Sequence, residues 1–144
     1  SAVEEAIFFH NISRQTQAKF ELKGDHPLTE NYSVFKPEVL ESFAEGLMTA
    51  KNHRLIQNVL EFDRVIIAGQ AKSHCVAWTV EDLLTEIQKR DANLAQKIYL
   101  LEDCTSPVVV PGIVDYTEQA ETAFKRFAEA GMNRVKSTEI LSGW

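Results

Sequence analysis

The chain has 144 residues, of which 44% are hydrophobic and 25% charged, and its formal net charge is −6. These values predict one domain with a substantial core, occupying residues 1–144. The negative charge disfavours nucleic acid and anionic membranes as partners. No apolar run approaches the ~20 residues that a membrane-spanning helix needs.

The chain contains two cysteines, Cys75 and Cys104, which are too few for a disulfide framework. This predicts a reducing compartment, taken here as the cytoplasm. No signal peptide is visible, and the sequence begins Ser1-Ala2 without a methionine, as a piece of a longer protein would. Cys104 could pair with Cys75, but a buried structural thiol is the better interpretation.

The first part of the chain predicts helices and one strand. A helix is predicted over residues 2–13, since Glu4 and Glu5 favour its first turn; a strand at Phe8-Phe9 is the alternative. The alternating residues 18–22 predict a strand that ends at Lys23, and a polar loop follows over residues 25–32. A helical stretch is predicted from Pro37, with one apolar side formed by Val39, Leu40, Phe43 and Leu47.

Residues 51–62 predict another helix, and the apolar run 65–68 predicts a parallel strand covered on both faces. Gly69 and Ala71 keep the next turn thin. A helix then runs to about Lys89 with one apolar face, which is formed by Val76, Thr79, Val80, Leu83, Leu84 and Ile87. Cys75 therefore begins a helix just beyond the carboxyl end of a strand, where backbone N–H groups favour a thiolate. Because free cysteines are commonly buried, position alone favours a structural and a reactive role about equally.

The rest of the chain continues this alternation. Residues 91–96 predict a connection or short helix, and residues 97–101 predict a strand. Residues 105–112 predict an extended segment, and its prolines argue against a central strand. A helix is predicted from Thr117, with Asp115 and Glu118 as its capping box. It ends at Gly131, and its buried residues are Ala120, Phe124, Phe127 and Ala128. A short strand over 133–137 and a tail over 140–144 follow. The pattern predicts a parallel, layered α/β sheet with helices on both faces.

The segment from Gly69 to Val76, Gly-Gln-Ala-Lys-Ser-His-Cys-Val, resembles the nucleophile segment of the nicotinamidase/isochorismatase-like cysteine hydrolases. Residues 68–79 and 100–109 resemble the long bacterial nicotinamidase-like subgroup. The resemblance implies the isochorismatase-like, three-layer Rossmann-like fold. It matches only the later part of that domain, so the chain is expected to lack the first strand or strands. We expect such a piece to pair with a missing amino-terminal segment or to form a homo-oligomer.

The resemblance also implies a set of catalytic residues. Cys75 is the nucleophile, and the N–H groups of Cys75 and Ala71 are the oxyanion donors. The peptide bond between Gln70 and Ala71 is expected to be cis; an ordinary trans bond in a tight turn is the alternative. Lys23 is the catalytic cation, because Lys23-Gly24 precedes a Tyr-Ser-x-Phe sequence as in the family. Lys36 is its rival.

Substrate contacts are expected from Gln70, Tyr32 and His74. The alternatives are a His74 side chain that points away from the site and a Tyr32 that belongs to the core. Phe35 and Trp78 either line an aromatic pocket or belong to the core.

The family's general base and metal ligands precede the catalytic lysine, and here no aspartate precedes Asp25. No metal site is therefore predicted, although a divalent metal such as zinc could bind if a missing segment supplied ligands. Asp103 is either a substitute base or, more simply, the cap of a turn at Thr105 or Ser106. The remaining histidines predict no site: His10 is expected to pack on a helix, and His26 and His53 to lie in loops or on the surface.

These residues predict a cysteine hydrolase of a small carboxamide, of the type that converts nicotinamide to nicotinate and ammonia through a thioester acyl-enzyme. The alternative is a catalytically incomplete fragment or pseudoenzyme that binds a ligand or partner. A thiol redox protein is disfavoured because the chain has no Cys-x-x-Cys motif.

Overall fold

The computed structural model describes residues 1–24, 29–38 and 51–139. Its helices are α1 (Ala2–Arg14), α2 (His53–Glu61), α3 (Ala77–Arg90) and α4 (Thr117–Glu129). Its strands are β1 (Val65–Gln70), β2 (Ile98–Ser106), β3 (Val109–Val110), β4 (Val114–Asp115) and β5 (Asn133–Val135). The helix predicted from Pro37 through Leu47, His26 and the 140–144 tail lie wholly or largely outside the described residues.

Strands β1, β2 and β5 form a parallel sheet in that order, which confirms the predicted α/β fold. Strands β3 and β4 form a separate antiparallel ribbon. The prediction that residues 105–112 contribute nothing to a central strand is wrong at Thr105 and Ser106, which end β2 and pair with Gly69 and Gln70. Pro107 follows the last of these pairs, so it does not interrupt the strand. The register between β1 and β2 shifts between the pairs Ile67–Leu100 and Gly69–Thr105. The extra residues of β2 carry Glu102 and Asp103 out of the regular ladder.

The core lies between the sheet and helices α2, α3 and α4. Its fully buried side chains come from α2 (Ile56), α3 (Val80, Leu83, Ile87), β2 (Ile98, Leu100) and α4 (Phe124, Phe127). The predicted helices over 51–62 and 76–89 are confirmed within one or two residues. A single π-helical turn, Lys72–Val76, joins β1 to α3, and a 3-10 turn, Ala92–Lys97, joins α3 to β2.

Strand β1 is half-buried on one face and exposed on the other. Its burial alternates, and Ile66 is 46% exposed. The prediction that residues 65–68 are covered on both faces is therefore wrong for the described part of the chain. Successive side chains of a strand point to opposite faces, and the described helices of the core cover only one of them.

The segment 18–22 forms no strand, so that prediction is wrong. Phe20 and Leu22 are among the most exposed apolar side chains of the described residues. Alternation alone cannot make a strand, because a ladder needs a neighbouring backbone to pair with. The helix predicted just before it is confirmed as α1, where Ser1 and Glu4 form a capping box, although α1 buries no residue.

Helix α4 begins and ends as predicted but is capped differently. The predicted capping box of Asp115 and Glu118 is wrong, because Tyr116 occupies the N-cap position and makes no side-chain cap. Asp115 instead accepts a hydrogen bond from the Thr117 N–H at 2.8 Å. Hydrogen bonds from the side chain of Thr117 and from this N–H hold the pKa of Asp115 below its usual value. The helix ends before Gly131, whose φ of +102° suits glycine.

Candidate active site around Cys75

Cys75 lies in the turn between β1 and α3, beyond the carboxyl end of β1, and is half-buried. The Ala71 carbonyl accepts hydrogen bonds from the N–H groups of His74 at 3.0 Å and Val76 at 3.1 Å, which closes the turn. The peptide bond between Gln70 and Ala71 is cis, as the resemblance implies. A thiol in this position can meet a ligand at the edge where α/β sheets bind their ligands.

Ser73 attaches the turn to the ribbon that follows β2. The side chain is buried, and its Oγ accepts a hydrogen bond from the Val108 N–H at 3.0 Å. The same oxygen lies 2.8 Å from His74 Nδ1. Ser73 therefore fixes both the turn and the imidazole next to Cys75.

A group of aromatic rings surrounds His74. The His74 ring meets Tyr116 edge-on at 4.7 Å and lies 6.3 Å from Tyr32, which stacks on Trp78 at 5.8 Å. The hydrogen bond that the Tyr32 hydroxyl donates to the Glu30 carboxylate raises the pKa of Tyr32, and negative charge on Cys75 acts in the same direction. These contacts bring Tyr32 and His74, both predicted to contact substrate, to the Cys75 turn.

Tyr116 was not predicted as part of the site. It precedes α4 by one residue and meets His74 only through the tertiary fold. Nothing in its sequence neighbourhood carries a signal for such a contact. Phe35, by contrast, is buried in the core rather than lining a pocket.

The two candidate lysines have different partners. Lys23 is exposed, and its Nζ donates to the Tyr32 carbonyl at 3.0 Å. Lys36 Nζ pairs with the buried carboxylate of Asp82 at 2.9 Å, and this contact raises the pKa of Lys36. Lys23 therefore contacts Tyr32 in the aromatic group beside Cys75, whereas Lys36 is paired with Asp82 on α3.

Gln70 and Asp103 are both held by serines. Gln70 Oε1 accepts from Ser106 Oγ at 3.0 Å. Asp103 accepts from the backbone N–H of Ser137 at 2.8 Å and from its hydroxyl, which keeps the pKa of Asp103 below its usual value. The prediction that Asp103 caps Thr105 or Ser106 is therefore wrong, because the chain after β5 supplies its donors.

Cys104 is free and exposed, so the predicted buried structural thiol is wrong. It lies where the β1–β2 register is interrupted, and its side chain therefore does not enter the core. His10 and His53 are also exposed. Within residues 1–24, 29–38 and 51–139, no cluster of His, Cys, Asp or Glu could hold a metal ion.

Comparisons with known proteins place the fold. No protein-family model and no curated protein sequence matches the chain. The yeast nicotinamidase structure is 21% identical, with a TM-score of 0.52, over 92% of this chain and 51% of its own. A nicotinamidase pyrazinamidase from Acinetobacter baumanii is 23% identical, with a TM-score of 0.49, over 81% of this chain and 46% of its own.

The chain therefore spans about half the length of these nicotinamidases. The likeness to the yeast nicotinamidase shows a shared α/β fold. No described helix is long and apolar enough to cross a bilayer.

Proposed function

We propose that the chain is the cysteine-bearing, carboxyl-terminal part of a hydrolase that cleaves small carboxamides, with nicotinamide as the model substrate. The observation that supports this most is the placement of a half-buried Cys75 at the amino end of α3, directly after β1. Helix N–H groups there stabilise negative charge on a thiol. The fold shared with nicotinamidases adds the substrate class.

The proposed reaction has two steps. The Cys75 sulfur attacks the carboxamide carbon, and the proton given up by the thiol is transferred to the amide nitrogen of the tetrahedral intermediate. The C–N bond then breaks and ammonia leaves. Water then cleaves the thioester, which releases the carboxylic acid and restores the thiol. The Cys75 and Ala71 N–H groups would stabilise the oxyanion, and Lys23 would supply positive charge at the site.

Substrate contacts are assigned to Tyr32, His74 and Gln70. The first two lie in the aromatic group beside Cys75, where a flat heteroaromatic ring can stack. Gln70 ends β1 with its side-chain oxygen held by Ser106, which orients the amide for a polar contact.

Several features of the complete protein belong to this proposal. A further segment, or a second copy, would complete the sheet beside β1 and supply the general base. Any zinc or similar metal would need ligands from that segment, because the described residues offer no cluster for one. Cytoplasmic location is proposed from the two free cysteines.

The test is ammonia release from nicotinamide by the complete protein. We expect Cys75→Ala to reduce turnover by about a thousandfold or more, since a missing nucleophile has no substitute. Cys104→Ser is the matched control and should retain wild-type turnover, because its thiol is exposed and free. Wild-type turnover in Cys75→Ala would contradict the proposal.

The second candidate is a binding module without catalysis. It is favoured by the engagement of Asp103 with Ser137, which leaves this carboxylate poorly placed to act as a base. Iodoacetamide distinguishes the two at neutral pH. Alkylation of Cys75 faster than that of the more exposed Cys104 supports the hydrolase, and slower labelling of Cys75 supports the binding module.

A further inference from the structure

Lys72 is a buried cation three residues before the proposed nucleophile. Its residue is 5% exposed. Its Nζ donates to Glu121 on α4, lies 3.9 Å from Glu102 Oε1 on β2, and lies 4.5 Å from the centre of the Phe124 ring. Buried ammonium groups are costly unless they are paired in this way. One side chain therefore ties the turn to both α4 and β2.

Arg134 on β5 completes the charge network. Its Nε donates to Glu102 Oε1 at 2.7 Å, and its Nη2 donates to Glu121 Oε2 at 2.8 Å. Two cations thus face two carboxylates, which balances the charge. Lys72 is also the main reason that the pKa of Glu121 lies below its usual value. The network joins the turn to three elements that are distant in sequence.

The turn is consequently anchored on one side and open on the other. Lys72 and Ser73 are both buried, the first in the charge network and the second against Val108. His74 and Cys75 follow as half-buried residues. Because the turn has only five residues, fixing its first two restricts where the Cys75 sulfur can lie relative to the amino end of α3.

We propose that Lys72 is a positioning residue whose buried ammonium, held by Glu121 and Glu102, keeps Cys75 at the amino end of α3. The inference rests on the proposed function, because it concerns how the nucleophile is held. Lys72 itself does not touch the substrate; it acts through the backbone of the turn. Loss of this anchor would move the sulfur away from the helix N–H groups and reduce the thiolate population.

The test uses the full chain in a Cys104→Ser background, so that Cys75 is the only thiol. Lys72→Met keeps most of the length of the side chain and removes its charge. The matched control is Lys51→Met, which breaks the pair between Lys51 Nζ and Glu86 Oε1, 2.6 Å apart, at a site farther along α3. Iodoacetamide alkylation, ultraviolet thiolate absorbance with Cys75→Ser as blank, and urea unfolding are measured for each variant.

We expect Lys72→Met to slow alkylation by about tenfold or more and to lower the thiolate absorbance. Lys51→Met should alkylate within about twofold of wild type despite a comparable loss of stability. Glu121→Gln keeps Lys72 but removes the negative charge of its main partner, and it should slow alkylation several-fold. This variant replaces Lys72→Met in the test if Lys72→Met does not fold.

Wild-type alkylation and absorbance in Lys72→Met, or in Glu121→Gln, would overturn the inference, as would equal slowing in Lys51→Met. A wild-type Cys75 that reacts no faster than an ordinary thiol would overturn the proposed function, and this inference with it. A reactive wild-type Cys75 that is unaffected by the loss of the Lys72 charge would overturn the inference alone.

Discussion

At the scale of single residues, an ion-pair cluster lies away from Cys75, where Glu86 on α3 meets Lys51 and Lys89. Glu86 accepts from Lys51 at 2.6 Å and from Lys89 at 3.1 Å, and these bonds lower the pKa of Glu86 to about 2. The folded state therefore prefers the ionised carboxylate. Its stabilising contribution is fully present above the ordinary value of 4.5 and is lost as the pH falls toward about 2.

We therefore expect Glu86→Gln to lower the free energy of unfolding at pH 7 by about 2 kcal/mol, and by progressively less below pH ~4.5. Urea unfolding at several pH values measures this. The control is Glu129→Gln, whose pair with Lys125 at 4.0 Å is exposed and should contribute less than about 0.5 kcal/mol at any pH. A loss in Glu86→Gln that does not change with pH would contradict the assignment.

Some residues of the candidate site could be predicted from their neighbours in the sequence, and others could not. Cys75 was placed correctly at a helix start because strand, turn and helix follow one another in the chain. Cys104 was predicted to be buried, but it lies at an irregularity of β2. Asp103 was assigned to the wrong turn because its hydrogen-bond donor is Ser137. Tyr116 was not predicted at all, since its contact is with His74. Such contacts join residues that are distant in sequence, and no local pattern encodes them.

At the scale of elements, α4 carries two phenylalanines whose rings contact cations. Phe124 and Phe127 are both fully buried, and each faces a cation. The Phe124 ring lies 4.5 Å from the buried ammonium of Lys72, whereas the Phe127 ring lies 5.5 Å from the guanidinium of the exposed Arg126. A cation–π contact contributes more when it is desolvated.

We expect Phe124→Leu to lower the free energy of unfolding by about 1 kcal/mol more than Phe127→Leu, because only the former loses a desolvated cation–π contact. Urea unfolding of both variants measures the difference. In a Lys72→Met background the two substitutions should cost the same. An unchanged difference in that background would show that packing, rather than the ammonium, separates the two positions.

Elements were predictable where their pattern is satisfied locally. Helices α2, α3 and α4 have one apolar face, and each was found at its predicted place. The strand predicted at residues 18–22 failed because its pattern needs a partner strand, which is a property of the sheet and not of the segment. The prediction that β1 is covered on both faces was wrong for the same reason, because its apolar run does not determine which elements pack against it.

At the scale of the whole molecule, the described sheet leaves apolar surface uncovered. β1 pairs with β2 on one side, and within the described residues no strand pairs with its other edge. Ile66 on β1 is 46% exposed. The chain also spans only about half the length of the yeast nicotinamidase that shares its fold. An apolar edge strand of this kind favours association with another strand.

We therefore expect the isolated chain to self-associate through β1, with a mass that rises with concentration in sedimentation equilibrium. Ile66→Glu should weaken this association by about tenfold or more, because a buried carboxylate at the new interface would be unpaired. Ile113→Glu is the matched control, since Ile113 is 82% exposed but lies on the ribbon formed by β3 and β4. A monomeric wild-type chain at all concentrations, or equal weakening by Ile113→Glu, would show that β1 is not the associating edge.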